Sequence, residues 1–281
     1  MFGRQHSGSV LCTSCGVLVG VADATCYNCG RRNPGLWGFA PVLRNFGRDL
    51  GFVPFLMGTC VLAFGASLLL SRGEIGMGGL FSLFSPSTEA LFTLGASGAI
   101  PVFRLDRWWT VLSASWLHGS ALHIFFNLLW VRQLAPATAE LYGAGRSVII
   151  YVVAGVAGFA LSSFAGAYLP NLLVLRGGQF SVGASASIFG LLGALVYYGR
   201  RTGSSAVHGQ AMSWALTMGL FGLIMPGIDN YAHAGGFAAG YLASRVLDPL
   251  TPERIDHLAI ATGCLVASMA AIAWSVYTVL G

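Results

Sequence analysis

Seven long apolar stretches constrain the fold of this chain more than any other feature. A transmembrane helix needs roughly 20 predominantly apolar residues to cross the hydrocarbon core of a bilayer. Only 9% of the 281 residues are charged, whereas soluble domains average about 25%. The sequence therefore predicts an all-α polytopic membrane protein, with the broken apolar segment at about 80–112 as a loop or interfacial region. The seven predicted spans are about 52–71, 116–135, 147–169, 183–199, 211–226, 231–247 and 258–280.

The arginines predict how these spans are oriented. All 15 basic residues are arginine, and cytoplasmic loops carry the excess of basic residues in membrane proteins. With a cytoplasmic N-terminus, eleven arginines fall inside and four fall outside. We therefore expect a multi-pass protein of a bacterial inner or cell membrane, with its N-terminus in the cytoplasm and its C-terminus outside. The net charge of +5 reports topology on this interpretation, and no nucleic-acid partner is expected.

Four N-terminal cysteines form a second signal. Cys12, Cys15, Cys26 and Cys29 have the spacing C-x2-C-x10-C-x2-C, and a glycine follows each pair. Four thiolates in this pattern are typical of a tetrahedral zinc site. Two disulfides are the alternative, but they require an oxidising compartment. We therefore predict a structural zinc ion in the reducing cytoplasm.

The cysteines also suggest how the chain is divided. We predict a zinc-ribbon-like cytoplasmic domain at 1–35, which could bind a cytoplasmic partner. A linker at 36–50 would lead to a transmembrane domain at 51–281. The two remaining cysteines, Cys60 and Cys264, lie singly in apolar spans and are predicted to be packing residues.

A few polar residues stand inside the predicted spans, where an ionisable group costs roughly 2.5–3.5 kcal/mol at the bilayer centre. The second span carries His118, His123 and Asn127. His123 and Asn127 are four residues apart and so share one helical face. The sixth span carries His233, and Asp229 stands just before it, where a turn or helix-capping role is expected. These residues are the first candidates for chemistry.

The fourth span begins SVGASASIFG, and its serines raise the question of a nucleophile. Ser185 is predicted to lie at a helix N-terminus, where unpaired backbone N–H groups can stabilise an oxyanion. Ser181 is expected at the helix entrance. Ser187 is two residues further on and faces another side of the helix. Ser185 is therefore the favoured nucleophile.

A base for this serine is predicted on the sixth span. Gly236 and Gly240 form a G-x3-G pair, and small residues on one face let two helices approach closely. The fourth span offers a matching small-residue face at Ala186 and Gly190. If the two faces meet, His233 comes within reach of Ser185.

Together these motifs resemble the rhomboid intramembrane serine proteases. The stretches HGSALHIFFN, GASASIFG and DNYAHAGGFAAG are similar to the family's H-x4-H-x3-N, G-x-S-x and A-H-x2-G-x3-G patterns, in the family's order. The resemblance covers about 95–248 and implies a rhomboid-like six-helix core. The last span resembles the additional C-terminal helix of seven-span members. One departure is that Thr110 follows Trp109 where many members have Trp-Arg.

The resemblance implies a role for each matching residue. Ser185 would be the nucleophile and His233 the general base. They would form a dyad, with no carboxylate as a third member and no catalytic cofactor. His123, Asn127 and the Ser185 backbone N–H would form the oxyanion hole, and Phe189 would contact the His233 ring. The glycines expected to support the site are Gly183, Gly236 and Gly240.

These residues predict an intramembrane serine endopeptidase in the lipid bilayer. Its substrates would be single-span membrane proteins, cut near the outer-leaflet end of their helix. A catalytically inactive relative that binds and routes membrane helices is the alternative. A transporter is disfavoured because neither internal repeats nor broken helices are evident.

Overall fold

The computed structural model describes residues 4–44, 49–170, 175–225 and 227–281. Part of the predicted linker, 45–48 with its Arg48, lies outside the described residues, as does the final residue of the fifth predicted span, at 226.

The N-terminal segment is built on a two-stranded antiparallel hairpin. Strand β1 covers Ser9–Leu11 and strand β2 covers Leu18–Gly20, with Val10 opposite Val19. Both valines are buried against the cysteine cluster. The predicted linker begins with helical structure, a 3-10 turn at Leu36–Gly38 and the short helix α1 at Ala40–Arg44.

Within the described ranges nine further α-helices follow, and seven of them are long. The seven long helices overlap the predicted spans, and the predicted loop region carries short helices and turns. The second span is displaced from its predicted position: α5 begins five residues later than expected, so His118 lies in the segment before the helix and not within it. Three of the described helices, α2, α6 and α10, are by themselves long and apolar enough to cross a membrane. The bounds are α2 Phe52–Leu70, α3 Thr88–Leu94, α4 Thr110–Ser113, α5 Ala121–Tyr142, α6 Ala144–Tyr168, α7 Ser185–Thr202, α8 Ser205–Ile224, α9 Asn230–Val246 and α10 Ile255–Leu280.

Helix α7 occupies the centre of the bundle. Every residue from Ala186 to Val196 is buried, and α7 contacts α5, α6, α8 and α9. Because it faces protein rather than lipid, it tolerates serine and glycine that a lipid-facing helix would replace with larger apolar residues. Helix α7 also ends with Arg200 and Arg201, which lower its mean hydropathy below that of a self-sufficient span.

Helices α7 and α9 run parallel and nearly touch through their glycines. A Cβ on Gly236 would overlap the backbone of Ala186, and one on Gly240 would overlap the backbone of Gly190. The approach is therefore closer than any side chain at these positions allows. Because the two helices are parallel and in this register, their N-terminal ends, with Ser185 and His233, lie side by side.

The cysteine-containing segment contacts the opposite end of the bundle. Arg31 and Glu253 form an ion pair at 3.6 Å, and both side chains are almost fully buried. Glu253 lies between α9 and α10, and it accepts a hydrogen bond from the backbone N–H of Arg146 at the start of α6. The cysteine-containing segment is thus attached at the end where α9 finishes, away from Ser185.

The loop that leads into α5 shows how the chain accommodates Thr110. The Thr110 hydroxyl donates to the backbone oxygen of Arg107 at 2.7 Å. The guanidinium of Arg107 is buried and donates to the backbone oxygens of Phe92 and Ser275, while its Cζ lies 4.0 Å from the Phe92 ring centroid. An arginine three residues earlier in the chain therefore fixes this loop to α3 and α10.

Candidate active site

The side chains of Ser185 and His233 meet at one end of the bundle. Ser185 begins α7 and His233 lies in the first turn of α9. The distance from His233 Nε2 to Ser185 Oγ is 2.9 Å, an ordinary hydrogen-bond length. Because Ser185 is in the first turn, its backbone N–H has no carbonyl of the same helix to pair with.

The ring of His233 is oriented by stacking rather than by a carboxylate. The Phe189 ring lies 4.2 Å from it, centroid to centroid, at an interplanar angle of 15°. Phe189 is one turn after Ser185 on α7, so the helix that carries the serine also positions the histidine. Among the described residues, His233 Nδ1 has no hydrogen-bond partner.

His123 faces the same end of the bundle from α5. Its Nδ1 accepts a hydrogen bond from the backbone N–H of Gly119 at 3.2 Å, so the proton of the neutral ring is assigned to Nε2. That atom lies over Gly183, since a Cβ on Gly183 would stand 2.7 Å from it. Gly183 also has φ 133°, a conformation that favours glycine. The glycine thus leaves room for the His123 ring beside Ser185.

Asn127 lies one turn below His123 on the same helix. Its Nδ2 donates to the His123 backbone oxygen at 2.7 Å. An amide nitrogen carries two hydrogens, so a second one remains for another acceptor. No partner for Asn127 Oδ1 is found within the described ranges.

The neighbouring polar residues point elsewhere. Ser187 is buried, and its hydroxyl lies 3.4 Å from that of Ser115 rather than toward His233. Ser181 precedes α7, as expected, and its hydroxyl donates to Asp229. His118 is fully buried, with its ring 5.2 Å from that of His123.

Two structurally important groups were underestimated from the sequence. Asp229 caps α9, as predicted, by accepting from the Ala232 N–H, but its carboxylate also binds Ser162 and Ser181. The other group is Arg107, one of the four arginines that the sequence predicts to lie outside. It stands two residues before Trp109, and this position was the available signal.

The four N-terminal cysteines converge on one point. Their sulfur atoms all lie within 4.8 Å of one another, with Cys12–Cys29 at 3.8 Å and Cys15–Cys26 at 3.7 Å. Four thiolates about 2.3 Å from a zinc ion stand about 3.8 Å apart in a regular tetrahedron. A disulfide would require about 2.05 Å. The cluster therefore fits a metal ion and not two disulfides.

The backbone around the cysteines forms a tight turn at each pair. Gly16 and Gly30 have φ 75° and 71°, and their N–H groups donate back to the carbonyls of Cys12 and Cys26. Each pair thus forms a tight turn that requires the following glycine. Burial raises the pKa of the Cys15 thiol, but hydrogen bonds from Val17 and other groups outweigh it and bring that pKa to about 6. Burial and the neighbouring thiols instead raise the pKa of Cys29 to about 12.

Fold and site together define an integral membrane protein with a serine and a histidine in contact at one end of a helical bundle. Residues 105–249 match the family model of the Rhomboid domain, which is just over half of the chain. The chain therefore belongs to the rhomboid family.

Several curated proteins are similar to this chain. RHOMBOID-like protein 4 of Arabidopsis thaliana is 32% identical over 173 residues, which cover 59% of this chain and 40% of that protein. Rhomboid protease GluP of Bacillus subtilis (strain 168) is 32% identical over 166 residues, which cover 58% and 30%. Rhomboid-like protease 3 of Toxoplasma gondii is 24% identical over 163 residues, covering 56% and 58%. The chain thus spans less than two thirds of the length of these relatives.

Proposed function

We propose that this protein is an intramembrane serine endopeptidase that uses Ser185 and His233 as a catalytic dyad. The single observation that carries the proposal is the 2.9 Å contact between Ser185 Oγ and His233 Nε2. A serine hydroxyl is a weak nucleophile until an adjacent base takes its proton. Membership of the rhomboid family and similarity to a protein named as a rhomboid protease give further support.

In the acylation step, His233 Nε2 takes the proton of Ser185 as Oγ attacks the scissile carbonyl carbon. The resulting tetrahedral intermediate carries a negative oxygen and the imidazole carries a positive charge. His233 then gives its proton to the leaving amine, and the peptide C–N bond breaks. Stacking on Phe189 keeps the imidazole aligned throughout, in the role that a carboxylate has in a triad.

The negative oxygen would be stabilised by donors on α5 and at the start of α7. These are the Ser185 backbone N–H, His123 Nε2–H and the second hydrogen of Asn127 Nδ2. Such donors act strongly because they need little reorganisation in a water-poor site. In the deacylation step, His233 removes a proton from water, the hydroxide attacks the acyl carbon, and Ser185 Oγ leaves with the proton returned by His233.

We further propose that the substrates are single-span membrane proteins, cut near the outer-leaflet end of their helix. The dyad lies at the N-terminal ends of α7 and α9. The excess of arginine on the predicted inner loops supports a cytoplasmic N-terminus and an outer location for this end. The seven long helices would then be the seven spans.

For the N-terminal segment we propose a zinc-ribbon-like domain at 1–35, a linker at 36–50 and the protease domain at 51–281. Cys12, Cys15, Cys26 and Cys29 would hold one zinc ion. Four thiolates close the coordination shell, so the ion would be structural. About 35 residues are too few for an apolar core of their own, and metal binding would supply folding free energy.

The proposal is tested by cleavage of a single-span membrane protein by the purified enzyme in proteoliposomes. Ser185→Ala and His233→Ala should each abolish cleavage while the protein stays folded. Ser187→Ala is the matched control, because it removes the same hydroxyl from the same helix on the side that faces Ser115. Its rate should equal that of the wild type.

The alternative, an inactive relative that binds membrane helices, predicts a different result. The wild type would then capture the substrate without cutting it, and Ser185→Ala would bind equally well. Cleavage by purified Ser185→Ala at the wild-type rate would refute the dyad.

A further inference from the structure

One carboxylate connects the three elements that surround the dyad. Asp229 Oδ1 accepts from the Ala232 N–H in the first turn of α9. Its Oδ2 accepts from Ser181 at 2.6 Å, in the segment that leads into α7. The same oxygen also accepts from the hydroxyl of Ser162 on α6. Asp229 therefore touches the helix of the base, the segment before the nucleophile, and α6, which packs against both α7 and α9.

The segment before Ser185 contacts this network at two points, Gly178 and Ser181. The Ser162 hydroxyl, which donates to Asp229, also accepts from the Gly178 N–H at 2.9 Å. A Cβ on Gly178 would stand 2.9 Å from Asp229 Oδ2, so the segment passes directly against the carboxylate. Ser181 further pairs with Ser97 through two backbone hydrogen bonds of 3.0 and 2.7 Å. The path into α7 is thus fixed relative to α9.

The residue that carries this carboxylate is also linked to the base through the backbone. The His233 backbone N–H donates to the Asp229 backbone oxygen at 3.1 Å, so His233 is one turn from the capping residue. A displacement of Asp229 therefore moves His233, and a displacement of Ser181 moves Ser185. A contact of 2.9 Å between two helices leaves little tolerance, since a shift of about 1 Å can lower a rate by about 10²-fold.

We propose that Asp229 is a positioning residue that sets the distance between Ser185 and His233 through the hydroxyls of Ser162 and Ser181. It touches neither substrate nor the reacting atoms. This inference rests on the proposed function, because its effect is defined as a change in the alignment of the dyad. A residue that only caps α9 would need only the hydrogen bond from the Ala232 N–H. The hydrogen bonds from Ser162 and Ser181 are additional to that role.

The experiment separates alignment from folding. Asp229→Asn keeps the size of the side chain and an oxygen for the cap, but it replaces the oxygen shared by the two hydroxyls with an amide donor. We expect kcat to fall about 10- to 100-fold with KM within twofold. Labelling of Ser185 by a fluorophosphonate should slow by a similar factor. Both rates are expressed per folded molecule, with the folded fraction taken from a thermal melt of each variant.

Two adjacent serines provide a matched pair. Ser162→Ala removes one arm of the network and should lower kcat. Ser163→Ala removes the next hydroxyl along α6, which is buried and has no hydrogen-bond partner among the described residues. It should leave kcat unchanged. Combining Ser162→Ala with Asp229→Asn should cost less than the two separate losses multiplied, because both act through one network.

The outcomes are distinguishable. Wild-type kcat and labelling rate in folded Asp229→Asn would overturn the inference while leaving the dyad intact. A variant that only melts at a lower temperature, with unchanged kcat per folded molecule, would also overturn it and leave a structural cap. A wild-type enzyme that neither cleaves nor labels would instead refute the proposed function.

Discussion

The contact between α7 and α9 gives the sharpest prediction, and Gly240→Ala is the smallest change that tests it. A Cβ on Gly240 would stand 2.5 Å from the Cα and the carbonyl carbon of Gly190, and closer still to its carbonyl oxygen. Carbon atoms in ordinary contact are about 3.5–4.0 Å apart. The helices would therefore have to separate by roughly 1 Å or more to admit one methyl group.

The consequence for the dyad follows from its short contact. Separation by about 1 Å would lengthen the 2.9 Å contact between Ser185 and His233 to roughly 4 Å, beyond hydrogen-bond range. We expect kcat to fall by about 10²-fold. The free energy of unfolding should fall by about 1–3 kcal/mol from overpacking, partly offset by the roughly 1 kcal/mol that alanine gains over glycine in a helix.

The assay is cleavage of a single-span substrate, with a thermal melt of each variant. Gly219→Ala on α8 is the matched control, because a Cβ there would meet no atom within 4 Å. It should keep full activity and melt at the same temperature or slightly higher. A folded Gly240→Ala enzyme with wild-type kcat would refute the reasoning, since it would show that the helices can separate without misaligning the dyad.

Four further predictions concern other parts of the molecule. His123→Ala should lower kcat by about 10²–10³-fold with little change in KM; full turnover would mean that the oxyanion is held by other groups. Metal analysis should find one zinc ion per chain, lost in Cys26→Ser; a protein without zinc, whose four thiols all react with a thiol reagent, would contradict the site. Arg31→Ala should lower the free energy of unfolding by about 3 kcal/mol or less, because it leaves Glu253 buried without its partner but with a backbone hydrogen bond. Deleting residues 1–40 should reduce stability in the same way and leave kcat in detergent largely intact; an inactive but folded truncation would show that the N-terminal segment communicates with the dyad.

The sequence alone predicted the helices well because the signal for them is local. A stretch of about 20 apolar residues has few alternatives to a helix in or near a membrane, so α2, α6 and α10 begin and end close to the predicted positions. The cysteine spacing was equally local, since each pair is closed by its own turn at Gly16 or Gly30.

Contacts between distant residues were decided by the tertiary structure. The small-residue faces suggested that α7 and α9 meet, but their parallel register and the 2.9 Å contact depend on every helix packed around them. The proton position on His123 depends on one backbone N–H, at Gly119.

The same reason explains what the sequence left out. The hydrogen bonds of Asp229 with Ser162 and Ser181, and the ion pair of Arg31 with Glu253, join residues from 48 to more than 200 positions apart. The sequence shows only that a polar residue will need a hydrogen-bond partner if it is buried. Which partner it finds is fixed by the packing of the helices, because side-chain hydrogen bonds require placement to within a few tenths of an ångström.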